Sequence, residues 1–229
     1  MSVADPFDVE PYRGARTRRA VVRRCPRTTL VLGSTQPDTV VDRQAAARAD
    51  VVVARRRTGG GAVLLEPEDP LWVDVWVPRG DPLFDDDAVR GVHWVGEWWS
   101  SALARLGVGP TAVQGAGRPV DRLASLVCFA GLGSGEVHRD GRKLVGVAQW
   151  RARQGALIHC AAYRHWSPGP LVDLLSLGSL ERAAARQRLP EAALGYGQAV
   201  AGASRGALTS TLLDLLPDGG WDVSVEAAP

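Results

Sequence analysis

Three short stretches and one histidine hold the residue types that could do covalent chemistry or cradle a ligand. Lys143 is the single lysine among 229 residues; the other basic residues are all arginine, asparagine is absent, and isoleucine occurs once, at Ile158. A composition biased against lysine leaves one where a compact ammonium can do what a planar, permanently charged guanidinium cannot. It follows Asp140-Gly141, a common two-residue turn, so a lysine left by chance in a hairpin is the competing reading.

Cys128 lies fifteen residues before Lys143. A buried cysteine is usually a small, inert hydrophobe. Beside a cation or base it becomes a nucleophile, and a hairpin between the two could bring them together. Cys25 follows an arginine pair and precedes a proline, and Cys160 sits in an apolar run; neither has an evident activating partner, and both read as structural.

Arg55-Arg56-Arg57-Thr58-Gly59-Gly60-Gly61-Ala62-Val63 follows the apolar run Val51–Ala54. Three glycines give a backbone without side chains, against which a ligand can lie flat and to which N–H groups can donate. The pattern is neither a P-loop nor the dinucleotide fingerprint, and alone it reads equally well as a flexible loop. His159, in an apolar run after Gln149, could face the same cleft and is a candidate for proton transfer; a satisfied core histidine is the commoner case.

These residues need elements to carry them. A chain of this length forms one large domain or two small ones. Thr29–Gly33, Val51–Ala54, Leu71–Pro78 and Ala156–Ala162 read as strands, the second apolar on both faces. Glu136–Arg139 and Lys143–Gln149 pair as a hairpin across Asp140-Gly141. Helices are predicted over Val40–Asp50, Asp85–Leu106, Pro170–Leu177, Leu180–Leu189 and Leu208–Leu216. Asp85, Asp86 and Asp87 would favour the start of the second, and its tryptophans would be core. Gly115–Arg118 reads as a loop, and residues 1–14 as a loose leader with Pro6 and Pro11. Interleaved helices and strands with one hairpin give an α/β or α+β domain.

Composition narrows the partners. A net charge of +2 gives no footprint for nucleic acid. The arginines at 16, 18, 19, 23 and 24 read as a solvated helix face. Three cysteines without a Cys-x-x-Cys pair support neither a disulfide framework nor a zinc knuckle. No signal segment and no membrane-length apolar run is visible, so a cytoplasmic protein with free thiols is expected.

In this order the pieces resemble the lipoate–protein ligase and octanoyltransferase family, whose catalytic fold is shared with biotin–protein ligases. Leu30–Gln36, Arg55–Val63, Gly141–Gln149 and Ala156–His159 carry the resemblance, which spans roughly residues 28 to 165. It implies a single catalytic domain over 28–229, with a mixed central sheet flanked by helices, behind a basic leader at 1–27 and without an accessory domain. It implies that Lys143 clamps the acyl carbonyl, and that Gly59, Gly60 and Gly61, with Ala62, Gly146, Ala148 and His159, line an eight-carbon acyl slot with Arg57 or Thr58 at its mouth.

Val127-Cys128-Phe129 ahead of Glu136 and Gly141-Arg142-Lys143 resembles the cysteine-dependent octanoyltransferases. That branch takes octanoyl from acyl carrier protein through a thioester, here on Cys128 with Lys143 beside it, without a cofactor. The acceptor is the lysine of a lipoyl domain or of the glycine-cleavage carrier protein. The alternatives are an ATP- and magnesium-dependent lipoate or octanoate ligase, working through an acyl-adenylate, and a family member that binds an acyl group or lipoyl domain without catalysis. The chain departs from the family at Leu64-Leu65-Glu66-Pro67, where His-Asp is usual after Ala62-Val63, and at Val147, where transferases have serine; its third glycine is closer to the ligases. The Gly-Arg-Gly-Arg loop of biotin ligases is missing.

Overall fold

A computed structural model describes residues 7, 9–117 and 121–227. Residues 1–6 and 8 of the expected leader, and Arg118 of the expected loop, lie outside the described residues. In chain order the elements are β1 (Arg18–Arg24), β2 (Thr29–Leu32), α1 (Arg43–Arg48), β3 (Val52–Arg55), β4 (Val63–Leu65), β5 (Leu71–Pro78), α2 (His93–Arg105), β6 (Ala112–Val113), α3 (Arg122–Leu126), β7 (Val137–Arg139), β8 (Arg142–Ala152), β9 (Gly155–Ala162), α4 (Gly169–Asp173), α5 (Ser179–Ala192), α6 (Tyr196–Ala199), α7 (Arg205–Asp214) and β10 (Trp221–Ala227).

Seven strands form one sheet in the order β10-β1-β5-β9-β8-β7-β6, and three form a second, β3-β2-β4. β10 runs parallel to β1, and the remaining pairs of the large sheet are antiparallel. This is the mixed α/β architecture that the interleaved pattern predicts. β9 is buried along its whole length, and β5 everywhere but Pro78, because both faces of the sheet are covered.

The two-residue period of a strand sorts the side chains. Leu71, Val73, Val75 and Val77 of β5, with Ile158 and Cys160 of β9, join a core with Val95, Trp99 and Leu103 of α2 and Leu208 and Leu212 of α7. Trp72 and Ala161 face the other way, into a core built with the small sheet and with Phe129, Tyr163 and Trp166. Asp74 and His159 sit in the same alternation as Trp72 and Ala161, and so on the second face.

The hairpin forms as predicted. Asp140 and Gly141 both have positive φ (51° and 80°), as a two-residue turn of the primed type requires. Val137 pairs with Val145 and His138 with Lys143, across a register shift. Trp98 and Trp99 are buried, as expected for core tryptophans.

Four expectations are corrected. The described part of the leader is not loose: Phe7, Val9 and Tyr12 are buried, and the Tyr12 hydroxyl donates to Asp74 in the large sheet. The arginine-rich segment is not a solvated helix face: Arg18–Arg24 is β1, with Arg18 and Arg23 buried. Their charges are met by Asp81 and Asp74 from distant parts of the chain. The long helix starts at His93, not at Asp85. Asp85 accepts from the N–H of Asp87, and Asp87 from those of Val89 and Arg90, so these side chains hold the backbone in turns instead of extending the helix. Val52–Arg55 is half-buried, because β3 is an edge of the small sheet.

Candidate active site

The glycine turn connects β3 to β4, and Arg56 braces it. This guanidinium is 1% exposed. It donates to the Thr58 hydroxyl at 3.0 Å and to the carbonyls of Val31, Gly59 and Gly61 at 3.3, 2.7 and 2.9 Å. Burial is the main cause of its pKa falling below the ordinary arginine value, against the opposing pull of Cys128, Glu136 and Tyr163. Gly60 has φ +94°, a conformation that costs glycine nothing. A Cβ on Gly60 would lie 3.0 Å from the Arg56 guanidinium and 3.7 Å from Cys128 Sγ. The turn therefore separates the buried cation from the thiol by little more than its own backbone.

Cys128 is held against this turn by backbone bonds: its N–H donates to the Ala62 carbonyl (3.0 Å), and the N–H of Ala62 donates to Leu126 (2.8 Å). Gly61 makes the approach possible, since a Cβ there would stand 2.6 Å from the Val127 carbonyl carbon and 2.7 Å from Cys128 N. Gly61→Ala must push the two segments apart. It is expected to cost about 1–3 kcal/mol of stability, the range for overpacking a close contact, measurable as a lower urea midpoint at unchanged slope.

Lys143 is the second residue of β8, just after the hairpin turn, and is 2% exposed. Its Nζ lies 2.6 Å from Glu136 Oε2 and donates to the Cys128 carbonyl, also at 2.6 Å. It stands 5.4 Å from the centre of the Phe129 ring. Glu136 in turn accepts from the N–H groups of Gly133 (2.6 Å) and Val147 (3.2 Å). The ammonium is thus fixed, paired and dry, beside the backbone of the cysteine.

These groups surround one cavity of about 320 Å³, with Gly59, Gly60, Gly61, Cys128, Glu136, Lys143 and Ala148 in its wall. A second pocket, of about 10 Å³, shares Cys128, Val147 and Ala148 with it and is otherwise closed by Arg56, Val63, Trp72, Phe129, Gly146, His159 and Ala161. The two spaces adjoin at Cys128, Val147 and Ala148, the larger holding the thiol and the ammonium and the smaller walled mainly by apolar residues with Arg56 and His159 among them, an arrangement that suits a chain with a carbonyl at its head.

The structure brings Cys128, Lys143, Gly59, Gly60, Gly61, Gly146, Ala148 and His159 around these two spaces. Arg57 is exposed and lines neither. Thr58 is fully buried behind the turn, where its hydroxyl serves Arg56. Ala62 is buried and bridges to Val127. Cys160 is buried in β9, where burial pushes its thiol pKa up, in keeping with a structural role.

Glu136, Arg56 and Asp74 are functional candidates that sequence reasoning did not select. Asp74 had a signal: it is the one carboxylate in the apolar strand Leu71–Val77. It accepts from Trp72 Nε1 (2.7 Å), Arg23 Nε (2.8 Å) and Tyr12 Oη (3.0 Å), and it lies 2.6 Å from His159 Nδ1. Burial pushes its pKa up, but His159 and Arg23 outweigh burial and hold it well below the usual carboxylate range.

Comparison with known proteins agrees with the geometry. Residues 19–187 match the model of the lipoyl protein ligase A/B catalytic domain. No curated protein matches the sequence. Among solved structures, the chain is similar to Ta0514 of T. acidophilum with bound lipoic acid, at 19% identity and a TM-score of 0.72, covering 95% of this chain and 82% of that one. It is similar to a bipartite lipoate protein ligase from Thermoplasma acidophilum, at 19% identity and a TM-score of 0.73, covering 95% and 80%. A lipoate–protein ligase A bound with ATP gives 19% identity and a TM-score of 0.73, covering 95% and 82%. At these identities the likeness shows the shared fold, and the match of the catalytic-domain model across most of the sequence shows that the chain belongs to the lipoyl protein ligase A/B catalytic-domain family.

Proposed function

We propose that this protein moves an octanoyl or lipoyl group from acyl carrier protein to the lysine of a lipoyl domain or a glycine-cleavage carrier protein, through a thioester on Cys128. The observation that carries the reading is the shared cavity in which Cys128 and Lys143 stand together, with Nζ 2.6 Å from the Cys128 carbonyl. In the first step the Cys128 thiolate attacks the carrier's thioester carbon, the carrier's thiolate leaves, and the acyl group is on Cys128. In the second, the acceptor amine attacks, the amide bond forms, and the Cys128 thiolate leaves and takes up the proton that the amine gives up. Both steps put negative charge on the carbonyl oxygen, which Lys143 is placed to meet. Gly59, Gly60 and Gly61 form the wall beside the chain, Gly146 and Ala148 leave room for it, and His159 stands at its inner end.

Intact-mass measurement after mixing the protein with octanoyl-acyl carrier protein, without ATP, tests this. One octanoyl group is expected on the chain, lost with hydroxylamine and absent in Cys128→Ser. A protein that stays unmodified, while retaining its fold, overturns the thioester route.

The second reading is an ATP-dependent lipoate ligase. It is favoured by the similarity to a structure bound with ATP and another with lipoic acid. Among the described residues, Glu136 is the single carboxylate in the cavity wall, and Lys143, Gly133 and Val147 already occupy it. That donor set offers no free carboxylate to a magnesium ion, which would rest on water and the nucleotide's phosphates. The same sample with lipoate, ATP and magnesium separates the readings, since adenylate formation would support the ligase.

A further inference from the structure

His159 carries a feature that acyl transfer at Cys128 does not use. The residue is 3% exposed, and its Nε2 is buried without a hydrogen-bond partner. The other ring nitrogen is committed: Nδ1 lies 2.6 Å from Asp74. Three further donors, from Trp72, Arg23 and Tyr12, hold that carboxylate in place, so the imidazole cannot turn away. Phe7 and Trp72 pack against the ring, with centroids 6.3 and 5.4 Å away. The strand register fixes the row, since Asp74 pairs with His159 and His159 with Ala148.

The ring lines the small inner pocket, whose other walls are Arg56, Val63, Trp72, Cys128, Phe129, Gly146, Val147, Ala148 and Ala161. At about 10 Å³ the pocket holds roughly one water-sized group and must widen for anything larger. A saturated tail entering it would bury the imidazole nitrogen with nothing to bond. Buried polar groups are almost always paired, and leaving one unmet costs the full desolvation of that group. A ring fixed by a carboxylate that three other donors hold in place is a poor arrangement for a generic hydrocarbon end and a good one for a tail with a polar atom at a set depth.

We propose that His159 is a specificity-determining residue that reads the tail of the acyl group, favouring a chain with a hydrogen-bonding sulfur, as in the lipoyl and dihydrolipoyl groups, over the plain octanoyl chain. The inference rests on the reading of the cavity as an acyl site, but not on which route loads it. With Asp74 ionised, Nδ1 carries the proton that it donates, so Nε2 of the neutral ring is an acceptor for a thiol; a protonated ring donates to a ring sulfur instead. Either state discriminates against a tail with neither group.

Calorimetric binding of octanoic, lipoic and dihydrolipoic acids to the intact protein tests this, with His159→Phe as the variant that keeps a ring and removes both nitrogens. The protein is expected to bind at least one of the sulfur-bearing acids about tenfold or more tightly than octanoic acid. His159→Phe should abolish most of that ratio, mainly by weakening the sulfur-bearing ligand. An equal ratio in both proteins, or tighter binding of octanoic acid by the unsubstituted one, overturns the tail-reading role and leaves the acyl site standing. Binding of none of the three overturns both. If the variant does not fold, ¹⁵N spectra of the unsubstituted protein decide: the His159 Nε2 signal must move with the sulfur-bearing acid and not with octanoic acid, and the reverse pattern overturns the inference.

Discussion

Lys143→Met is expected to reduce acyl transfer by roughly 10²–10³-fold, the usual loss when one group that stabilises an oxyanion is removed. The substitution also has a structural cost that must be separated from the chemical one. Glu136 would stay buried with its cation gone, and breaking a buried pair from one side typically costs about 3–5 kcal/mol. The side chains of the pair are only 2% and 4% exposed, so water does little to soften this. The double variant Lys143→Met, Glu136→Gln removes the stranded charge. It should regain most of the lost urea stability while transfer stays at the level of the single variant. A double variant that regains transfer together with stability would show that Lys143 only holds the loop of Cys128 in place. Lys143→Arg should fail as well, because a planar fork cannot take the place of a compact ammonium between Glu136 Oε2 and the Cys128 carbonyl.

Asp74→Ala should be the most damaging single change to stability, at about 3–5 kcal/mol. The carboxylate meets Tyr12, Arg23, Trp72 and His159 at once, so its loss strands several buried donors in the middle of the large sheet. The sign of the pH dependence follows from its depressed pKa. Stability from an aspartate whose folded pKa lies below its unfolded value of about 3.9 is fully present above that value and lost as pH falls toward the folded one. Urea titrations of the protein and of Asp74→Ala should differ by a constant amount at neutral pH, and the gap should narrow as pH drops below about 4. A gap that widens in acid would mean that the carboxyl is protonated in the native protein. Asp74→Asn should lose less than Asp74→Ala, because an amide oxygen can still accept from two of the four donors.

Local pattern made much of the site legible. The Asp140-Gly141 turn was enough to pair Glu136–Arg139 with Lys143–Gln149, and the observed strands run over Val137–Arg139 and Arg142–Ala152. The mainly apolar runs at Leu71–Pro78 and Ala156–Ala162, interrupted only by Asp74 and His159 within them, predicted the two strands β5 and β9. The helix start at Asp85 failed for a reason that was also local, since aspartate side chains bond nearby backbone N–H groups as readily as they favour a helix dipole. The arginine segment failed for a nonlocal one. Arg18 and Arg23 are buried only because Asp81, Asp74 and Glu226, far along the chain, come to meet them.

The sequence by itself determined the residue types and the spacings that short-range geometry can use: a glycine turn after a strand, a cysteine, and a lysine one hairpin away. Tertiary structure alone decided which charge goes where. Of three adjacent arginines it buries Arg56 behind the turn and leaves Arg57 in solvent. It also gives Lys143 to Glu136 and fastens His159 to Asp74. The physical reason is desolvation. A charge can enter the interior only where its partners already wait, and those partners lie on strands and loops whose meeting no local pattern encodes.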